Sequence, residues 1–181
     1  MKIISGTLKG RNLKGYNLEG TRPTMDRVKE SLFAMIQNKI KDSVVLDLFA
    51  GSGNLGIEAI SNGAKCCYFN DINRECIKVI NDNINLFNIQ EQTVVLNKSW
   101  TDALTFVKNS SVKCDLIFLD PPYKMECLNE VISKILDYDL LSNNGLIVCE
   151  VSNNYLIDYE SIEQIKSKKY GDKIIVIYKN K

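Results

Sequence analysis

The residues best equipped for chemistry form the run Asp120-Pro121-Pro122-Tyr123, which closes the apolar stretch Leu116-Ile117-Phe118-Leu119. Such a run reads as a buried strand. Proline, with no amide hydrogen and a fixed φ, ends it at Asp120. A carboxylate and the Pro121 carbonyl then lie together in a stiff loop, with no amide donors from the two prolines to compete for them. That pair of acceptors suits an exocyclic amine on a nucleobase. The amine lone pair is delocalised into the ring. Two acceptors drawing on its hydrogens would pull the nitrogen toward tetrahedral geometry and turn the lone pair toward an electrophile. Tyr123 offers a flat face for stacking, worth ~1–3 kcal/mol per base. The base would have to be single-stranded or turned out of its stack. Asp120, Pro121, Pro122 and Tyr123 are therefore the candidate catalytic residues; the plainer reading is a strand-ending turn.

The stretch VLDLFAGSGNLGIEA carries a second pattern, Gly51, Gly53 and Gly56 spaced as G-x-G-x-x-G after a strand and before a helix. There the glycines let backbone amides and a helix N-terminus come close to a ligand. An acid ending the next strand accepts hydrogen bonds from ribose hydroxyls, and Asp71 follows CCYFN. A nicotinamide dinucleotide uses the same geometry. Asp47 tips the balance, because a carboxylate beside the loop repels a pyrophosphate but holds an ammonium. S-adenosylmethionine has that ammonium and no phosphate. Asp47 could also simply bond the turn it enters.

These residues need a sheet behind them. Strands are expected at 44–49, 65–70, 93–97, 115–119 and 145–151, alternating with helices at 54–63, 74–87, about 101–109 and 127–141. The helix at 74–87 would place Ile77, Ile80, Ile84 and Phe87 on one face. Two further strand-like runs split by Tyr170-Gly171-Asp172 read as a closing hairpin. The expected fold is α/β: a doubly wound, mostly parallel, seven-stranded Rossmann-like sheet with an antiparallel C-terminal hairpin. Ahead of it lie a glycine-rich segment, 1–20, read as a small hairpin, and a helix from about 24 to 40. Strand ends 44–49 and 115–119 should be neighbours, bringing Asp120 and Tyr123 to the cofactor's reactive end.

Composition narrows the chemistry. The chain of 181 residues is 45% hydrophobic and 25% charged, ordinary for one globular domain. It contains no histidine, which excludes Ser-His and Cys-His catalysis and zinc sites built on His. The six cysteines form no C-x-x-C pair and read as reduced core residues. No metal site is expected. No apolar run of ~18 residues suggests a membrane span, and no signal peptide is evident, so a cytoplasmic location is expected. The net charge of +1 hides an asymmetry: residues 1–41 hold nine Lys/Arg against three acids. That basic arm suggests a polyanionic partner.

The pattern resembles class I, S-adenosylmethionine-dependent N-methyltransferases carrying DPPY, which act on adenine N6, cytosine N4 or guanine N2. A wider likeness, through KIISGTLKGRNL, TRPTMDRVKESLF, LDLFAGSGNLGIEAISNGA, FLDPPY, GLIVCE and YGDKIIVIY, is to the RsmD family. That resemblance implies methylation of the N2 amine of one guanine in bacterial 16S rRNA. It places Asp47, Phe49, Gly51, Gly53, Asp71, Ile72 and Asp120 at the cofactor, with Arg22 and Thr24 near both cofactor and target base. It gives RNA contact to an N-terminal hairpin, 1–20, holding Gly6, Lys9, Arg11 and Lys14, and to Arg22. The remainder, 21–181, would be the methyltransferase domain. Relatives commonly carry Glu where this chain has Asp71. For the adenine amine, Ser99 is chosen over Asp102, and Trp100 packs either on the adenine or on the core. The implied partner is 16S rRNA within a 30S particle or assembly intermediate, with the enzyme a monomer. The rival readings are a DNA adenine-N6 methyltransferase, a nicotinamide-dependent oxidoreductase and an inactive RNA-binding assembly factor.

Overall fold

The computed structural model describes residues 1–15, 23–122, 127–152 and 160–181, with backbone alone at 23–25 and 152. The elements run α1 (Pro23–Ile36), β1 (Val44–Asp47), α2 (Asn54–Ser61), β2 (Cys66–Asn70), α3 (Arg74–Phe87), β3 (Thr93–Leu96), α4 (Trp100–Asn109), β4 (Cys114–Leu119), α5 (Leu128–Asp137), β5 (Leu141–Ser152), β6 (Ile162–Tyr170) and β7 (Lys173–Asn180). One sheet holds all seven strands in the order β3-β2-β1-β4-β5-β7-β6. The five strands β3-β2-β1-β4-β5 pair in parallel, while β7 runs antiparallel between β5 and β6. This is the Rossmann-like arrangement expected. Strand order reverses between β1 and β4, which places a crevice at their carboxyl ends.

The apolar run of β4 has no polar alternation because both its faces are covered. Leu116 and Phe118 join Leu32, Phe33 and Ile36 of α1, Ile57 of α2, and Ile80 and Ile84 of α3. Ile117 and Leu119 turn the other way, toward Leu104 and Val107 of α4 and Val131, Ile132 and Ile135 of α5. Each such side chain, fully buried, contributes about 1.5–3 kcal/mol. The six cysteines are free, five of them buried. Burial pushes the Cys114 thiol up to about 12, so it stays protonated and behaves as a small apolar side chain.

Three boundaries stand apart from expectation. The helix expected at 127–141 stops at Asp137, because Asp139 takes a left-handed φ of 51°. The strand expected at 145 begins instead at Leu141, which pairs with Cys114 before an irregularity in register. Asp115 explains the early start: its carboxylate accepts the Ser142 hydroxyl at 2.8 Å and the Val44 amide at 2.9 Å, tying the bases of β5 and β1 to β4. Helix α1 likewise gives way at Gln37–Lys39 to a 3-10 turn.

Residues 1–13 fold back on themselves, with Ile3 N–H bonded to the Arg11 carbonyl and Leu13 N–H to that of Met1. Ile3 and Leu13 are buried in the α1–α3 side of the core. Residues 16–20 of the expected hairpin lie outside the described residues. This arm is held by charge. Glu58 of α2, fully buried, accepts the Ile4 amide at 3.0 Å and the Ser5 amide at 2.8 Å. It also pairs with Lys29 of α1 at 2.8 Å, and Lys29 donates to the Lys2 carbonyl and the Asn54 side chain, both at 2.7 Å. Buried charges persist when paired and fully hydrogen-bonded, as these are.

Candidate active site

Asp47 ends β1, and the chain turns through Leu48–Gly53 while still pinned to its neighbours. The Leu48 amide donates to the Phe118 carbonyl at 3.3 Å, and the Ala50 amide to the Asn70 carbonyl at 2.9 Å. Gly51 and Gly53 have φ of 55° and 78°, the left-handed region that favours glycine. Gly56 is required for close approach: a Cβ there would lie 2.3 Å from the Phe69 ring and 2.6 Å from Cys67 Sγ. Helix α2 can therefore settle directly on β2.

Three carboxylates converge on this end of the sheet. Asp47 is buried and accepts the Gly56 amide at 3.0 Å, so it fastens the glycine loop to the first turn of α2. Burial lifts its pKa to about 7, the Gly56 bond opposes the rise, and the charges of Asp120 and Asp71 add to it. Asp71 accepts the Gly51 amide through one oxygen and the Asn73 amide through the other, both at 2.9 Å. A carboxylate has about four acceptor positions, so two remain for a diol. Asp120 follows β4. Its side chain reaches solvent, yet the protein packed around it desolvates the carboxylate enough to push it up to about 7. Glu150 adds to that rise and Lys173 opposes it.

Glu150 was not singled out from sequence. Leu119 pairs with Cys149, so Asp120 and Glu150 leave adjacent parallel strands side by side. Lys173, at the start of β7, is ion-paired with Glu150. The available signal was an acid closing GLIVCE at the same strand end as Asp120. Asn70 was also missed. Its side-chain amide donates to the carbonyls of Leu48 at 3.1 Å and Lys98 at 3.2 Å, and its oxygen accepts the Lys98 amide at 3.2 Å. It thus ties together the loops that follow β1, β2 and β3.

The remaining candidates divide. Phe49 packs against the α4–α5 core, whereas Ile72 is 72% exposed at the crevice rim. Ser99 caps α4: its hydroxyl accepts the Asp102 amide at 3.1 Å and donates to the Asp102 carboxylate at 2.7 Å. Ser99 and Asp102 are thus partners of each other. Trp100 is half-buried against the α4–α5 core. Pro121 is half-buried and Pro122 exposed beyond Asp120. Tyr123 and Arg22 lie outside the described residues, as does the side chain of Thr24, whose backbone is in the first turn of α1.

Among the arm's basic residues, Arg11 donates to the Leu86 carbonyl at 2.8 Å and lies 4.6 Å over the Phe87 ring. Lys14 pairs with Asp82 at 3.4 Å. Only Lys9 of the three extends without a side-chain partner among the described residues. Lys29, counted with the basic arm, is buried and unavailable to phosphate. Among the described residues, no group of three or more Cys, Asp or Glu could hold a metal ion, and no helix is long and apolar enough to cross a membrane.

The sequence pattern of the family described as "Conserved hypothetical protein 95" matches residues 1–179. Ribosomal RNA small subunit methyltransferase D of Haemophilus influenzae is 36% identical over 182 residues, spanning 99% of this chain and 94% of its own. The chain belongs to this family, the RsmD family. YlbH of Bacillus subtilis is 36% identical over 183 residues and the whole of both chains. The solved structure of yhhF from Escherichia coli superimposes with a TM-score of 0.86 at 29% identity, covering 100% and 98% of the two chains. SMU.776, a methyltransferase structure complexed with SAH, shares the fold alone, at a TM-score of 0.70 and 16% identity, over 86% of this chain and 49% of its own.

Proposed function

We propose that the protein transfers a methyl group from S-adenosylmethionine to the exocyclic N2 amine of a guanine in bacterial 16S rRNA, acting as a cytoplasmic monomer on the 30S particle or an assembly intermediate. One observation carries the reading: a glycine loop and the Asp120-Pro121 exit meet at neighbouring strand ends, where the charges of Asp120 and Asp71 both bear on the buried Asp47. That field suits a cationic ligand and disfavours the pyrophosphate of a nicotinamide dinucleotide. Family members named for rRNA methylation and the SAH-bound fold neighbour support the substrate class and the donor.

The residues fit S-adenosylmethionine. Asp71 has acceptor positions left for the ribose hydroxyls, the carboxylate field receives the ammonium and sulfonium, and the exposed Ile72 offers an apolar surface for the adenine ring. Bound there, S-adenosylmethionine supplies an electrophilic methyl group. The chain's own contribution is positioning and electrostatics. Asp120 and the Pro121 carbonyl accept the two hydrogens of the guanine amine and fix the nitrogen's orientation. Tyr123 stacks the extruded base. Asp120 stabilises the positive charge that builds on nitrogen as the new bond forms, and the resulting cation, a strong acid, then gives its proton to solvent water.

Incubating the protein with labelled S-adenosylmethionine and 30S particles, naked 16S rRNA or duplex DNA, then digesting to nucleosides, tests this reading. Label in N2-methylguanosine from 30S particles is expected; label in N6-methyladenine from DNA overturns it.

The pH dependence follows from Asp120. Only the ionised carboxylate is a full acceptor for its amine hydrogen and stabilises the charge developing on nitrogen, so kcat/KM should fall as pH drops through about 7. Glu150→Gln removes a like charge from beside Asp120 and should move that acidic limb to lower pH. Superimposable pH profiles for the two proteins would mean that Glu150 does not act on Asp120.

A further inference from the structure

The charge asymmetry does not end with residue 41. Residues 160–181 carry six lysines and three acids, whereas residues 42–159 carry eight Lys/Arg against sixteen acids. Both chain ends are basic, the middle is acidic, and the fold brings the two ends together. Lys166 of β6 donates to the Met35 carbonyl of α1, and Lys168 to the Ser31 hydroxyl, both at 3.0 Å. Ser31 and Met35 are one helical turn apart, and Lys166 and Lys168 alternate onto one face of the strand. Helix α1 therefore runs antiparallel to β6, lying on the sheet face that holds Phe118 and within reach of the lysines of the β6 edge strand. Its N-terminus points the same way as Tyr170, toward the end where Lys173 meets Glu150 and Asp120.

This geometry makes a row. Arg27 lies one turn before Ser31, and Lys39 follows Met35 by four residues; both are exposed. Read along the seam, the cations are Arg27, Lys168, Lys166 and Lys39. Lys39 continues the row from the 3-10 turn beyond the end of α1, and steps among the first three are about 5–7 Å, the rise of a helical turn or of two strand residues. That is close to the spacing of phosphates in an extended nucleic-acid strand. At its foot the seam opens into a hollow of about 460 Å³ lined by Lys39, Lys166, Lys179, Lys181, Asn143 and Asn180. The acids nearby are Asp26 and Glu30 on α1, Asp172 in the β6–β7 turn, and Glu163, which is taken up by Lys179 at 2.9 Å.

We infer that the α1–β6 seam holds the phosphate backbone of the RNA strand that carries the target nucleotide. The inference rests on the reading of the substrate as RNA and assigns it a track distinct from the N-terminal arm. Lysines also discourage pairing at a sheet edge, and Lys166 satisfies a carbonyl at the end of α1. Those roles predict effects on aggregation and stability. A phosphate track predicts an effect on salt dependence.

The test compares wild type with Lys166→Gln/Lys168→Gln and with Arg27→Gln/Lys39→Gln, the second pair having no side-chain bond to the described body. The readouts are KM for 30S particles, the slope of log kcat/KM against log salt, the affinity for S-adenosylmethionine and the thermal midpoint. Each double variant is expected to raise KM at least fivefold and flatten the slope by about 1.4, from ~0.7 per phosphate contact on a single strand. Affinity for S-adenosylmethionine should be unchanged. Wild-type KM and slope in Arg27→Gln/Lys39→Gln overturn the seam, whatever the stability of the lysine pair. A wild-type protein inactive on every RNA overturns the functional reading and the seam with it.

Discussion

Asp120→Ala is expected to lower kcat for the proposed methyl transfer to 30S particles by about 10²–10³-fold, the cost of deleting a donor or acceptor that acts mainly in the transition state. In the proposed mechanism the carboxylate lies beside the amine on which charge builds. Alanine leaves the Pro121 carbonyl to hold the amine alone and lets water in. Affinity for S-adenosylmethionine changes less than tenfold, because Asp47 and Asp71 remain. Loss of the Asp120 charge also removes one of the influences that raise Asp47. Asp120→Asn keeps one acceptor oxygen and should fall between alanine and wild type. Single-turnover rates and calorimetric titration of S-adenosylmethionine separate the effects. A kcat within fivefold of wild type removes Asp120 from the reaction.

Lys29→Met destabilises the fold by about 3–5 kcal/mol, because it leaves the Glu58 carboxylate buried without its counter-charge. For a chain of this size that lowers the thermal midpoint by roughly 10 °C. Replacing both members of a buried ion pair with apolar residues is often harmless. Here Lys29→Met/Glu58→Leu is expected to stay destabilised. Glu58 also receives the amides of Ile4 and Ser5, and leucine leaves both unsatisfied. Urea unfolding gives the energies, and faster proteolysis within residues 1–15 identifies the arm as the part released. Recovery of wild-type stability in the double variant would mean that the arm is held by its apolar contacts alone.

What could be read from the sequence was what is encoded locally. Gly51, Gly53 and Gly56 announce their loop because the backbone demands glycine within six residues. Asp120-Pro121-Pro122 announces a strand end because proline cannot continue the pairing. The alternation of strands and helices fixed the class, and the acid after the second strand pointed to Asp71. Residues whose meaning depends on distant partners stayed hidden. Lys29 looked like one more surface cation until Glu58, 29 positions later, proved to be its buried partner. Arg11 and Lys14 looked free for phosphate, whereas α3 supplies both with contacts. Lys166 and Lys168 drew no notice because α1, more than 130 residues earlier in the chain, is what turns them into a row. The start of β5 was missed because Asp115, read as part of a strand, recruits Ser142 across the sheet.

The attachment of residues 1–13 limits how a target can be recognised. Ile3 and Leu13 are sealed in the interior, and the amides of Ile4 and Ser5 end on a carboxylate that water cannot reach. Such a strip cannot swing outward to fish for a partner without opening the middle of the molecule. Any partner that docks on this strip would meet lock-and-key conditions: the surface is fixed before the encounter, little ordering entropy is lost on contact, and a mismatched shape is turned away rather than moulded around.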